Sequence, residues 1–227
     1  MRSSDHFVAL IAAVEQADSA GALFEATRAL ASALAVQGKE PIGPPPPEGA
    51  LTCLVSILGF NNPGAAVAAV DGLIASGPAA VLPLLEGLDG QNYGARAWAV
   101  RALAGIGDVR GLELLEAALG DDIGPSVRRA AAIGLGTLDV AHLTAQERRT
   151  VQERALGALE CGAQDGEWVV RYAVATAMEK ITPRLQDLQD GHRRAVATLH
   201  RLADASEEEA PVVCLRARLA LSRLVSP

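Results

Sequence analysis

The stretch from Asn92 to Asp108, NYGARAWAVRALAGIGD, decides the fold. On a helical wheel, at about 100° per residue, Ala95, Ala99, Ala102, Leu103 and Ile106 fall on one apolar stripe. Tyr93, Arg96 and Val100 lie on one flank, Trp98 and Arg101 on the other. Gly107-Asp108 then breaks the pattern as a turn. The stretch also has copies. ARAWAVRAL, from Ala95 to Leu103, matches VRRAAAIGL from Val127 to Leu135 and VRYAVATAM from Val170 to Met178. Weaker copies are AAVAAVDGL, beginning at Ala65, and VCLRARLAL, beginning at Val213.

The copies recur at irregular steps of about 30 to 45 residues, the range of stacked helical hairpins. Between them lie segments that read as partner helices: Pro78–Leu88, Arg110–Gly120, Thr144–Glu160 and Gly191–Asp204. Each hairpin buries its apolar face against its neighbours, so the expected fold is all-α, a curved α-solenoid of HEAT-like helical hairpins. The segment EPIGPPPPEG, Glu40–Gly49, cannot continue a helix because proline lacks the backbone donor and fixes φ. It divides the expected chain into a helical pair (1–39), a Pro-rich linker (40–50) and the repeat array (51–227).

Composition narrows the function. Half of the 227 residues are hydrophobic, yet only 3% are aromatic, as suits closely packed Ala-rich helices. The formal net charge of −7 argues against a nucleic-acid partner, which calls for a basic stripe. Cys53, Cys161 and Cys214 are too widely spaced for a zinc site, and their odd number suggests free thiols in a reducing compartment. No apolar run approaches the roughly 20 residues that span a bilayer, and the N-terminus lacks a signal-peptide core. The chain therefore reads as a soluble, cytoplasmic protein with no metal site and no cofactor. His6, His142, His192 and His200 are scattered and read as solvated. Cys53, in an apolar run, and Cys214, in a matched repeat position, read as packed side chains.

Both tryptophans and both tyrosines of the chain lie beside arginines in the repeated helices. Tyr93 precedes Arg96 by three residues, as Trp168 precedes Arg171; Trp98 and Arg101 share the same spacing. The repeat between them offers Arg128 and Arg129. Aromatic faces stack on a conjugated ligand, and guanidinium forks pair with carboxylates. The row therefore suits a flat ligand that carries carboxylates. The competing reading is structural: an arginine early in such a helix pairs with an acid of a neighbouring turn, and Asp89, Asp121, Asp122, Asp165 and Glu167 are available. The terminal APVVCLRARLALSRL, apolar on one side, either caps the array or docks a partner.

LDGQNYGARAWAVRALAGIGD, from Leu88 to Asp108, and PSVRRAAA with GLG, between Pro125 and Gly136, resemble the HEAT-like repeats of the phycobilin lyase family. The likeness is strong over Asn61–Leu138, and greatest to the smaller, F-type (beta) subunits of phycocyanobilin lyases for the phycocyanin alpha subunit. The resemblance implies a heterodimer with an E-type subunit. It implies a linear tetrapyrrole as substrate and an apo-phycobiliprotein as acceptor, joined through a thioether to cysteine. It carries a bilin-site role to Tyr93, Arg96, Trp98, Arg101, Arg128 and Arg129, and the repeat alignment extends that role to Trp168 and Arg171. Tyr93 and Asp89 are the candidate proton donors. Some relatives that also isomerise the bilin carry a His-Cys motif. No cysteine here neighbours a histidine, so attachment without isomerisation is expected. Two other classes remain open on the residues alone: a non-enzymatic HEAT-repeat scaffold for a protein partner, and a bilin chaperone or chromophore-detaching relative.

Overall fold

The computed structural model describes residues 2–37, 46–87 and 91–225. Among them are twelve α-helices: α1 (Arg2–Glu15), α2 (Ala20–Gln37), α3 (Glu48–Ile57), α4 (Pro63–Ala75), α5 (Val81–Gly87), α6 (Tyr93–Ile106), α7 (Leu112–Asp121), α8 (Pro125–Leu135), α9 (Ala145–Gly162), α10 (Trp168–Ile181), α11 (Gly191–Ala203) and α12 (Pro211–Val225). Short 3-10 turns at Gly77–Ala80 and Val109–Gly111 lead into α5 and α7, and a third, Thr182–Asp187, follows α10. No described helix is long and apolar enough to cross a membrane.

The chain divides into two compact units, residues 1–106 and 107–227. In the first, α2, α4 and α6 pack in order as one layer, and α1, α3 and α5 as the other. In the second, α8, α10 and α12 form one layer, and α7, α9 and α11 the other. The quoted copies of the opening stretch are the second helices of successive hairpins. Their cores follow the predicted stripe: Ala95, Ala99, Ala102 and Leu103 of α6 are buried, as are Val127, Ala131 and Leu135 of α8 and Val170, Val174 and Met178 of α10.

Three expectations change. The N-terminal pair is no separate domain: α2 lies against α4, and a Cβ on Gly72 would stand 2.9 Å from the Cα of Ala31. Only glycine permits that approach. The helix α3 begins at Glu48, inside the expected linker, while 38–45 lie outside the described residues. Pro47, extended at φ −62° and ψ 129°, precedes its first turn. Finally, Val100 is buried rather than on a flank, because α6 packs on both α4 and α5 and its apolar face is wider than one stripe.

Backbone-end groups are satisfied differently in the two units. In the first, asparagines both cap and tether. Asn62 Oδ1 accepts from the Ala65 N–H (3.1 Å), and its Nδ2 donates to the Ala20 carbonyl (2.9 Å). Asn92 repeats this one hairpin later, accepting from Ala95 N–H and donating to the Gly59 carbonyl, both at 3.1 Å. In the second unit acids and arginines take over that work, as the site geometry shows.

Candidate functional site

Helix α6 begins at Tyr93 because Asn92 caps it, and the i, i+3 spacing brings each aromatic over an arginine. The Arg96 guanidinium carbon lies 5.8 Å from the centroid of the Tyr93 ring. That of Arg101 lies 5.6 Å from the Trp98 ring. Both are cation–π contacts, worth about 0.5–1 kcal/mol each at exposed sites. The pairs stand on opposite flanks of the helix. Tyr93 is 44% exposed, Arg101 is exposed, and Arg96 and Trp98 are half-buried. Each flank therefore carries one exposed member of its pair, Tyr93 on one and Arg101 on the other. Asp89, the second candidate proton donor, lies outside the described residues.

In the second unit the predicted arginines part company. Arg128 of α8 donates from Nε and Nη2 to the two oxygens of Asp165 (2.7 and 2.9 Å) and from Nη1 to the Asp122 carbonyl (2.9 Å). Arg171 of α10 does the same one hairpin on: Nε and Nη2 hold Glu208 (2.6 and 2.7 Å), and Nη1 meets the Asp165 carbonyl at 2.6 Å. Each acid in turn accepts the N–H two residues ahead, at Glu167 and Ala210, both at 2.8 Å. So each arginine ties its own helix to the turn that opens the next. These forks are engaged by protein carboxylates, which is the structural reading weighed for them. A ligand carboxylate would have to displace those partners. Arg129, the next residue on α8, is exposed, and so are Trp168 (47%) and Tyr172, one turn apart on α10.

The shifts in acidity follow the same network. Burial works against the charged form of Asp165, but the hydrogen bonds from Arg128 and the Glu167 N–H outweigh it and hold the carboxyl below its usual range. The Arg171 hydrogen bond does likewise for Glu208, against its burial. Glu208, which is not among the acids expected to pair with the arginines, is the partner of Arg171. It stands three residues before the first residue of α12, just as Asp165 stands before α10 and Asp122 before α8. That register was visible in the sequence.

The cysteines do not build a reactive site. Cys53 is half-buried, and burial, with the charge of Glu15 adding, pushes its thiol up to about 11. Cys214 is buried, with its Sγ 3.5 Å from the Glu208 carbonyl. Cys161 is exposed on α9.

A model of HEAT repeats matches residues 51–136 and 81–179. A phycobilisome maturation protein of Synechococcus elongatus is 47% identical over 219 residues, covering 96% of this chain and 97% of its own. The beta subunit of a phycocyanobilin lyase from Thermosynechococcus vestitus is 43% identical, covering 95% and 94%. The chain belongs to the phycobilin lyase family. Its HEAT repeats also match a solved complex of CpcE and CpcF of phycocyanin lyase from a Nostoc species, at a TM-score of 0.68 and 38% identity, over 76% of this chain and 98% of the other. Designed armadillo-repeat proteins at about one-fifth identity share the all-α repeat fold alone.

Proposed function

We propose that this chain is the F-type (beta) subunit of a heterodimeric phycobilin lyase, working in the cytoplasm with an E-type partner. The pair would bind phycocyanobilin as substrate, without a cofactor, and attach it to a cysteine of the phycocyanin alpha subunit. The observation that carries this reading is the double aromatic–arginine arrangement on α6, in a chain of this family. A linear tetrapyrrole is flat, conjugated and carries two propionates. Tyr93 and Trp98 offer rings to its faces, and Arg101 offers a guanidinium to a carboxylate, with Arg96 beside Tyr93 on the other flank. In the second unit, Arg129 and Trp168 are separate exposed candidates. Arg128 and Arg171 there fix the turns between repeats.

Attachment is an addition. The acceptor thiolate forms a carbon–sulfur bond at the ethylidene group of ring A, and the bilin takes up one proton, with no change in total oxidation level. The lyase contributes by holding the bilin in one conformation against the acceptor cysteine. Tyr93, exposed at the start of α6, is the proposed donor of the proton. The absence of a histidine next to any cysteine supports attachment without isomerisation.

The test is co-expression with an E-type subunit, phycocyanobilin and apo-phycocyanin alpha subunit. Covalent bilin is read by zinc fluorescence on a denaturing gel and by absorbance in acid urea. Adduct that requires both lyase chains is expected. Arg96→Ala should weaken bilin retention about tenfold or more, the size of one charge-assisted hydrogen bond. Tyr93→Phe should keep retention and slow ligation. Retention without ligation would make the protein a bilin chaperone, and neither would make it a scaffold.

A further inference from the structure

The last described helix, α12, has two apolar faces. Val213, Cys214, Ala217 and Ala220 are buried, and the helix packs on α10 and α11. Val212, Leu215 and Leu219 are exposed on the opposite side, Leu215 by 64%. With Ser222, also exposed, they recur at i, i+3, i+7 and i+10. That alternation of three- and four-residue steps is a heptad seam, the pattern by which one helix receives the side chains of another. Single exposed leucines are ordinary, but an aligned aliphatic row on one helix marks a contact surface.

The flanks of the seam say what it can meet. On the wheel Arg216 and Arg223 lie on one side of it and Arg218 on the other, and α12 carries no acid along its length. Arg218 and Arg223 are exposed. Arg216 crosses to α10, where its Nε donates to Thr176 Oγ1 at 3.0 Å and its Nη2 to Glu179 Oε2 at 2.5 Å. Arg223 Nη1 donates to the other Glu179 oxygen at 3.1 Å, so one carboxylate serves two guanidiniums. The Nη1 of Arg216 is buried with no partner, a donor between two helices that lacks an acceptor. On the far flank Arg218 Nε donates to the Ala203 carbonyl at 3.1 Å. Asp204 beside it is taken up by Ser206, whose N–H and hydroxyl both donate to its Oδ1. Glu207 and Glu209 are exposed in the loop before α12, ahead of the seam. A second copy of this helix would set arginine against arginine, in parallel or antiparallel pairing, because both flanks are basic. A helix with carboxylates at its flanking positions meets Arg218 and Arg223 with opposite charge and brings an acceptor to Arg216.

We infer that α12 docks a helix of another protein, one with an apolar seam of its own and acidic residues flanking it. Val212, Leu215 and Leu219 take the seam, and Arg218 and Arg223 take the flanking carboxylates. The surface lies within residues 107–227 and does not depend on the bilin reading of α6.

The probes are two labelled three-heptad peptides with Leu at both seam positions. One has Glu at the flanking positions and its twin has Lys. Fluorescence anisotropy follows their binding to the full chain. Saturable binding of the Glu peptide is expected, about tenfold or more tighter than that of the twin. Leu215→Gln combined with Leu219→Gln should abolish it, and Arg218→Glu should narrow the gap between the two peptides. All three side chains are exposed, and circular dichroism checks that the variants fold. Equal affinity for the two peptides overturns the acidic partner. No binding, or binding that survives the double leucine substitution, overturns the docking face. Sedimentation of the chain alone should show a monomer; a dimer that the double substitution dissolves would give the seam to a second copy and overturn the assignment.

Discussion

Glu208 shows how much one side chain can hold. It is 5% exposed, receives two hydrogen bonds from Arg171 and one from the Ala210 N–H, and so joins α10 to the start of α12. Its carboxyl sits below the usual range when folded, chiefly through Arg171. A carboxyl more acidic in the folded state than in the unfolded one binds fewer protons when folded. Its stabilisation is therefore complete above the unfolded value of about 4.3, and is lost as pH falls through the lower folded value. Glu208→Gln should destabilise the chain by about 3 kcal/mol at pH 7, because Arg171 is then left without its counter-charge in a mostly buried position. Urea unfolding at a series of pH values checks this. The gap between variant and parent should close as pH drops below 4; a gap that is constant across pH would mean that packing, not charge, is what the substitution removes.

At the scale of the helix, close approach sets the limits. A Cβ on Gly136, which follows α8, would stand 2.6 Å from the Cα of Ala177 in α10. Backbone cannot step aside as a flexible side chain does. Gly136→Ala should therefore cost about 1–3 kcal/mol, or several degrees of Tm. Gly120, in the last turn of α7, meets nothing within 4 Å, and Gly120→Ala should be neutral or stabilising. Thermal unfolding of the two variants separates the effects, and equal losses would sink the close-packing account. The hairpins themselves were legible in the sequence, because the buried stripe of each second helix recurs with its spacing intact. The end of the first unit's story was not. Whether Asn62 and Asn92 reach back to the Ala20 and Gly59 carbonyls depends on how neighbouring turns lie in space, which no one-dimensional pattern encodes. The side-chain pairs of the candidate site were legible in the same measure. Local i, i+3 pairs such as Tyr93–Arg96 and Trp98–Arg101 could be read from spacing alone. Arg128 and Arg171 could not be told apart from ligand-facing residues until their distant acids were located, 37 residues on in both cases.

For the molecule as a whole, the chain is a series of repeats in which packing is mostly between neighbours, and that has an energetic consequence. In such arrays stability is close to a sum of repeat and nearest-neighbour contributions, so damage stays near where it is made. Gly72 tests this in the first unit. A side chain there would meet the Cα and Cβ of Ala31 at 2.9 and 2.7 Å and the Cδ1 of Leu54 at 2.8 Å, forcing apart α2, α3 and α4 at once. Gly72→Leu should speed hydrogen exchange strongly at the amides of α2, α3 and α4. Amides of α10 and α12, which are packed on each other in residues 107–227, should keep their protection. Exchange followed by mass spectrometry of peptic fragments gives the answer region by region. If protection fell equally in both units, the chain would unfold as one cooperative body, and the ion pairs at Asp165 and Glu208 would stabilise α4 as much as α10. If it falls only in the first unit, the proposed bilin surface on α6 and the arginine-tied repeats after it can be varied separately, and losses of bilin retention in α6 variants can be read as losses of contact rather than of fold.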